Sequence, residues 1–174
     1  MKKLFEITES TNRVFEKYYK RDAARAIILN NNKEIALLFS KREKYYKFPG
    51  GGIESGENHE CALCREVMEE CGKKLMLLSM IPFGYVKEKY KSQVVDDELF
   101  ESFSYYYFAN FEDGIYPQKL DKYEKGKELT FTYCEINEAI DTNQKYWEST
   151  GNKMILRELR VMLLLKDLIA NKEI

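Results

Sequence analysis

An α/β sandwich around a mixed β-sheet is the fold class predicted by this sequence of 174 residues. Three observations carry that reading. Short runs of β-branched, aromatic and small residues are bounded by turn signals. One amphipathic helical segment interrupts them after Asn58, and a long apolar helix over 152–171 closes the chain. The length suits a single domain, 1–174, with a core of its own. No internal repeat, low-complexity tract or linker divides it.

Residues 2–20 read either as a helix or as an irregular approach to the sheet, because Phe5, Val14, Phe15, Tyr18 and Tyr19 follow no clear period. Residues 23–29 and 34–39 read as strands joined by Asn30-Asn31-Asn32, so a hairpin is expected there. Tyr45-Tyr46-Lys47-Phe48-Pro49 leads into the glycine turn Gly50-Gly51-Gly52, with Pro49 fixing the backbone ahead of it. After the helix, 75–82 and 83–90 read as extended and 100–111 as a long aromatic strand. Tyr105-Tyr106-Tyr107-Phe108 in that strand reads as packed core or as a stacking surface. The segment 114–126, with Lys119, Lys122 and Lys125, reads as a solvated or phosphate-contacting loop. A strand over 128–134, a short helix over 136–140 and the closing helix complete the order.

The interrupting segment carries the chemistry. At about 100° per residue, Glu66, Glu69 and Glu70 share one helical face, while Cys61, Cys64, Val67, Met68 and Cys71 gather on the other. The carboxylates are therefore expected to face outward and the cysteines to be buried, which argues against a redox or zinc reading of Cys61-Ala62-Leu63-Cys64. Asn58 suits the N-cap and Gly72 the left-handed position past the last turn. Stacked like charges cost only about 0.2–0.5 kcal/mol per pair, so energy alone leaves two readings open: a solvated face, or a set of ligands. The order of residues favours the ligands. A glycine turn admits close approach of a backbone to a ligand, and clustered carboxylates are the hard oxygen donors that Mg²⁺ or Mn²⁺ prefer. Together they describe a diphosphate site.

Gly51, Glu57, Arg65, Glu66, Val67, Glu69, Glu70 and Gly72 stand at the spacings of the Nudix box, which the segment resembles, and only Lys73 departs from it, replacing a bulky aliphatic residue. The resemblance implies a Nudix-like α/β/α sandwich and a divalent-metal-dependent pyrophosphohydrolase. Such an enzyme cleaves the diphosphate of a nucleoside diphosphate linked to another moiety, such as a nucleoside triphosphate or a dinucleoside polyphosphate. It implies Glu66, Glu69 and Glu70 as catalytic residues and as ligands of Mg²⁺ or Mn²⁺, with the backbone carbonyl of Gly51 as a further ligand. It also implies an ion pair between Glu57 and Arg65 that orients those ligands. The base is Glu66, or a carboxylate from a distant loop, for which Asp96, Asp97, Glu98 and Glu101 are the candidates. A catalytically silent nucleotide-sensing module is the alternative.

Substrate identity stays open in the sequence. Tyr90 stands where some relatives that cleave dinucleoside polyphosphates carry a tyrosine, Pro82 comes too early for the proline of ADP-ribose-cleaving relatives, and hydrolysis of a damaged nucleotide is equally compatible. His59, the only histidine, is expected to be incidental in an exposed first turn.

Composition bounds the partners. With 28 basic and 29 acidic side chains the net charge is −1, so neither long nucleic acid nor a membrane surface is an expected partner. A small-molecule nucleotide is. Glu6, Thr8, Glu9 and Ser10 interrupt any signal-peptide core, and four cysteines without such a signal point to a reducing, cytoplasmic setting. The apolar surface of the closing helix is wider than one stripe, which fits burial or a homodimer contact.

Overall fold

The computed structural model describes residues 1–9 and 13–173. Strands β1 (Lys3–Thr8), β2 (Lys17–Lys20), β3 (Ala23–Ile27), β4 (Ile35–Ser40) and β5 (Tyr45–Lys47) precede helix α1 (His59–Cys71). After it come a 3₁₀ turn (Leu77–Ser79) and the long strands β6 (Ile81–Lys91) and β7 (Glu98–Phe108). Helix α2 (Lys122–Gly126), strand β8 (Leu129–Cys134) and helices α3 (Ile136–Thr150) and α4 (Lys153–Ala170) complete the chain.

The strands form two sheets rather than one. A mixed sheet runs β1-β6-β7-β2, with β3 also pairing parallel to β7, and an antiparallel sheet runs β5-β4-β8. β6 and β7 are its antiparallel centre, in register from Ile81↔Phe108 to Lys91↔Leu99. Alternate residues Ser102, Ser104 and Tyr106 of β7 point to one buried face, following the period-two rule for strands. That face and the other sheet pack on α3 and α4, where Val86, Tyr106, Leu159, Met162 and Leu165 form one apolar cluster. The opposite side packs on α1, where Leu63 and Val67 meet Ala24, Ala26 and Leu38. The order helix, sheets, helices is the expected α/β/α sandwich.

Several local expectations change. The hairpin over 23–39 is only a crossing between sheets: Leu29↔Ile35 is an isolated bridge, after which β3 joins β7 and β4 joins β5 and β8. Residues 3–8 and 17–20 are neither helical nor irregular but edge strands, and the exposure of all of β2 erased its alternation. Ser10 lies outside the described residues. Residues 77–79 form a 3₁₀ turn within the stretch expected to be extended. The helix after β8 runs through Thr150 instead of ending near Ile140, because fully buried Asn143 continues its packed stripe with hydrogen bonds to the backbone of Tyr46. The cysteines also separate: Cys71 and Cys134 are buried, Cys61 is exposed and Cys64 half-buried. In α4 most of the apolar surface is buried within the chain, while Leu163 is exposed. Among the described residues no helix is long and apolar enough to cross a membrane.

Candidate active site

The glycine turn is pinned to β3. Ala24 N–H donates to the Gly51 carbonyl at 3.0 Å, Ala26 N–H donates to the Pro49 carbonyl at 2.9 Å, and the Arg25 guanidinium donates to the Gly50 carbonyl at 2.6 Å. Gly51 and Gly52 then face in different directions. A Cβ on Gly51 would stand 2.6 Å from Oε1 of Glu66, and one on Gly52 would stand 2.7 Å from Nε of Arg21. At each position the absent side chain lets a charged group come close to the backbone, and a side chain there would push that group aside. The Gly51 carbonyl already accepts one hydrogen bond and keeps its second lone pair.

Helix α1 starts as its sequence dictates. Asn58 accepts from Cys61 N–H, and Gly72 ends the helix with a left-handed φ of 61°. His59 is not incidental: Nδ1 is 2.8 Å from the Tyr107 hydroxyl and the ring packs 4.1 Å from that of Tyr105, fixing the first turn to β7. Lys73 gives the helix end a different anchor from aliphatic packing, donating from Nζ to the Gly114 carbonyl at 3.0 Å.

The three box glutamates do not share one environment. Glu70 is buried instead of facing outward; its Oε1 accepts from Lys47 Nζ and its Oε2 from Gly50 N–H, both at 2.6 Å. Burial pushes its carboxyl up to about 7, against the opposing pull of Lys47. Glu66 is largely covered, with Oε1 bonded to Arg65 at 2.9 Å. Glu69 is the most open of the three and touches Arg65 only at 3.5 Å. The wheel placed them on one face correctly, but that face looks into the crease beside the glycine turn.

Arg65 organises the crease. It makes two bonds of 2.8 Å to the two carboxylate oxygens of Glu57 and donates to the Gly52 carbonyl at 3.0 Å as well as to Glu66. The Arg65 bond holds the Glu57 carboxyl near 2, and Glu57 in turn raises the Arg65 guanidinium further. The sequence expectation for this pair corresponds to the observed contact.

Carboxylate oxygens of Glu66, Glu70 and Glu124 lie within 4.8 Å of one another. Glu69 stands outside that group. Glu124 comes from the segment read as a loop, and the docking of that segment explains its position. Tyr116 N–H bonds the Gly72 carbonyl, Gln118 the Glu70 carbonyl and Lys119 N–H the Glu69 carbonyl, so the loop satisfies the open carbonyls at the end of α1. A capping box between Asp121 and Glu124 then starts α2. That Asp-x-x-Glu signature was the available signal in the sequence. Lys119, Lys122 and Lys125 are exposed. The other acidic candidates are placed elsewhere: Asp96 pairs with Lys91, Asp97 with Arg13, Glu101 bonds the Tyr18 hydroxyl, and Glu98 lines a separate cavity.

Three convergent carboxylates form an all-oxygen donor set, the kind suited to a hard divalent cation. Its excess negative charge has two nearby compensations, Lys47 on Glu70 and Arg65 on Glu66.

A family model described as NUDIX domain matches residues 19–157. Among curated proteins, Nudix hydrolase 12, mitochondrial, from Arabidopsis thaliana is 27% identical over 127 residues, covering 73% of this chain. The chain spans 60% of that relative's length. Among solved structures, a NUDIX hydrolase from Nitrosomonas europaea aligns with a TM-score of 0.54 and 17% identity over 82% of this chain and 90% of its own. A MutT NUDIX hydrolase from Burkholderia pseudomallei aligns with a TM-score of 0.50 and 19% identity over 68% and 85% of the two chains. These two are likenesses of fold.

Proposed function

The chain belongs to the Nudix family, and from that premise we propose that it is a divalent-metal-dependent pyrophosphohydrolase acting on a small nucleoside diphosphate derivative. The observation that carries the proposal is the convergence of Glu66, Glu70 and Glu124 within 4.8 Å beside the side-chain-free approach at Gly51.

In this reading Glu66, Glu70 and Glu124 hold Mg²⁺ or Mn²⁺, with the Gly51 carbonyl adjacent and Glu69 at the open edge. A cation held there would neutralise charge on the phosphate oxygens and polarise the phosphoryl group. Oε2 of Glu66 has no protein hydrogen bond among the described residues, so it is the acceptor for the proton of an attacking water. Arg65 keeps that carboxylate in place, and Glu57 keeps Arg65 in place. Arg21 lies against Gly52 and is exposed, which suits it to meet phosphate oxygens as they pass the turn. The four free cysteines suit a reducing, cytoplasmic setting.

The test is a panel of nucleoside triphosphates, sugar nucleotides and dinucleoside polyphosphates incubated with the protein and Mg²⁺ or Mn²⁺. Release of phosphate or nucleotide that disappears in Glu66→Gln supports the proposal; no release above that variant contradicts it.

A further inference from the structure

A cavity of about 460 Å³ opens between one face of β7 and the start of α4, within the size range of small-ligand pockets. None of Glu66, Glu70 and Glu124 lines it, but two of its lining residues adjoin that group. Arg21 on its wall lies against Gly52, whose neighbour Gly51 faces Glu66, and Tyr123 on its rim immediately precedes Glu124.

The cavity has a polarity along its length. Glu98, Phe100 and Ser102 are alternate residues of β7, and all three line it. Lys20 pairs with Glu101, so Arg21 stands level with Ser102. From Ser102 to Glu98 is about 13 Å at roughly 3.3 Å per residue, comparable with a nucleoside lying along the strand. The sequence of groups is therefore a guanidinium and a hydroxyl at the carboxylate end, aromatic rings in the middle and a carboxylate at the far end. Phe100 has Tyr90 at 5.3 Å and Tyr19 at 6.1 Å, making a continuous ring surface.

The polar groups divide by whether the protein already uses them. Gln93 is engaged with Gly151 and Lys153, and Asn152 caps α4. Among the described residues the side chains of Arg21, Ser102 and Glu98 have no protein partner, although Ser102 is only 3% exposed. Its hydroxyl lines the cavity, where a ligand or water can bond it.

We propose, on the basis of the pyrophosphohydrolase reading above, that this cavity takes the nucleoside of the substrate and that Glu98 selects guanine. An ionised carboxylate only accepts hydrogen bonds. Guanine presents N1–H and the 2-amino group side by side, which matches both oxygens. Adenine and cytosine present one donor beside a ring-nitrogen acceptor, and uracil presents one N–H between two carbonyls; each sets a lone pair against the carboxylate. Phe100 and its neighbours supply the stacking surface.

Calorimetry with GMP, IMP and AMP tests the selection without any hydrolysis, so its failure is separate from failure of the hydrolase reading. GMP is expected to bind about 10- to 100-fold more tightly than AMP, with IMP, which lacks the 2-amino group, in between. Glu98→Gln offers a donor and an acceptor; it should weaken GMP and strengthen AMP, while thermal unfolding stays unchanged because the carboxylate has no partner to lose. Arg21→Ala should weaken all three alike and leave their ratio intact. Equal affinities for GMP and AMP, no GMP binding, or a Glu98→Gln variant with the wild-type ratio would overturn the proposal.

Discussion

Oε1 of Glu66 lies 2.6 Å from the point where a side chain on Gly51 would begin, so the helix and the glycine turn touch through a carboxylate and a bare Cα. Gly51→Ala is backbone-compatible, since Gly51 is not among the glycines with positive φ. Its methyl must displace the Glu66 carboxylate. We expect kcat/KM to fall on the order of 100-fold, the effect of roughly 1 Å of misplacement at a reacting centre, while circular dichroism stays that of the wild type.

Glu124, rather than Glu69, shares a carboxylate group with Glu66 and Glu70. Saturating Mn²⁺ at about 100 times its Kd should add about 2.7 kcal/mol, or roughly 5–10 °C in Tm for a chain of this size. Glu124→Gln should remove most of that rise, whereas Glu69→Gln should leave most of it. Differential scanning fluorimetry with and without Mn²⁺ reads both.

The buried charges under the glycine turn act as structure. Arg157 bonds Glu88 and Glu158 at 2.7 Å each, and Glu158 accepts Phe48 N–H at 2.7 Å just before the turn. All three side chains are buried. Arg157→Met leaves buried Glu88 without its cation and Glu158 with only Arg25 at 3.9 Å, and should cost about 3–5 kcal/mol, measured as a lower midpoint in urea.

The thiols should differ sharply in reactivity. Burial pushes Cys134 up from 9.0 to about 11 and Cys71 well above its ordinary value, whereas Cys61 is exposed. For Cys134 the folded state favours the neutral thiol, a contribution fully present below about pH 9 and lost as pH rises through about 11. At pH 8, iodoacetamide followed by mass spectrometry should label Cys61 first and reach Cys71 and Cys134 only in denaturant.

How much of this was legible follows from how far apart in sequence the interacting groups lie. Gly51, Glu57, Arg65, Glu66 and Glu70 fall within one turn and one helix, so spacing was enough to bring them together. Glu124 was not legible, because it reaches Glu70 only after the 116–119 backbone docks on the end of α1, a long-range event marked locally by nothing more than a capping box. The burial of Glu70 escaped the helical wheel for a related reason. A wheel orders side chains around an axis but does not say that Lys47 and the Gly50 N–H stand opposite. Edge strand β2 was obscured because all four residues are exposed, and α3 looked short because the packed Asn143 reads as polar.

If Glu66, Glu70 and Glu124 act together as one cation site, Mn²⁺ binding depends on all three. Titration of the protein with Mn²⁺, followed by electron paramagnetic resonance of the free ion, measures that dependence. The expected result is saturable binding that weakens at least about tenfold in Glu66→Gln, in Glu70→Gln and in Glu124→Gln, the scale of losing one ligand. Undiminished binding in all three variants, or no saturable binding by the wild type, would contradict it.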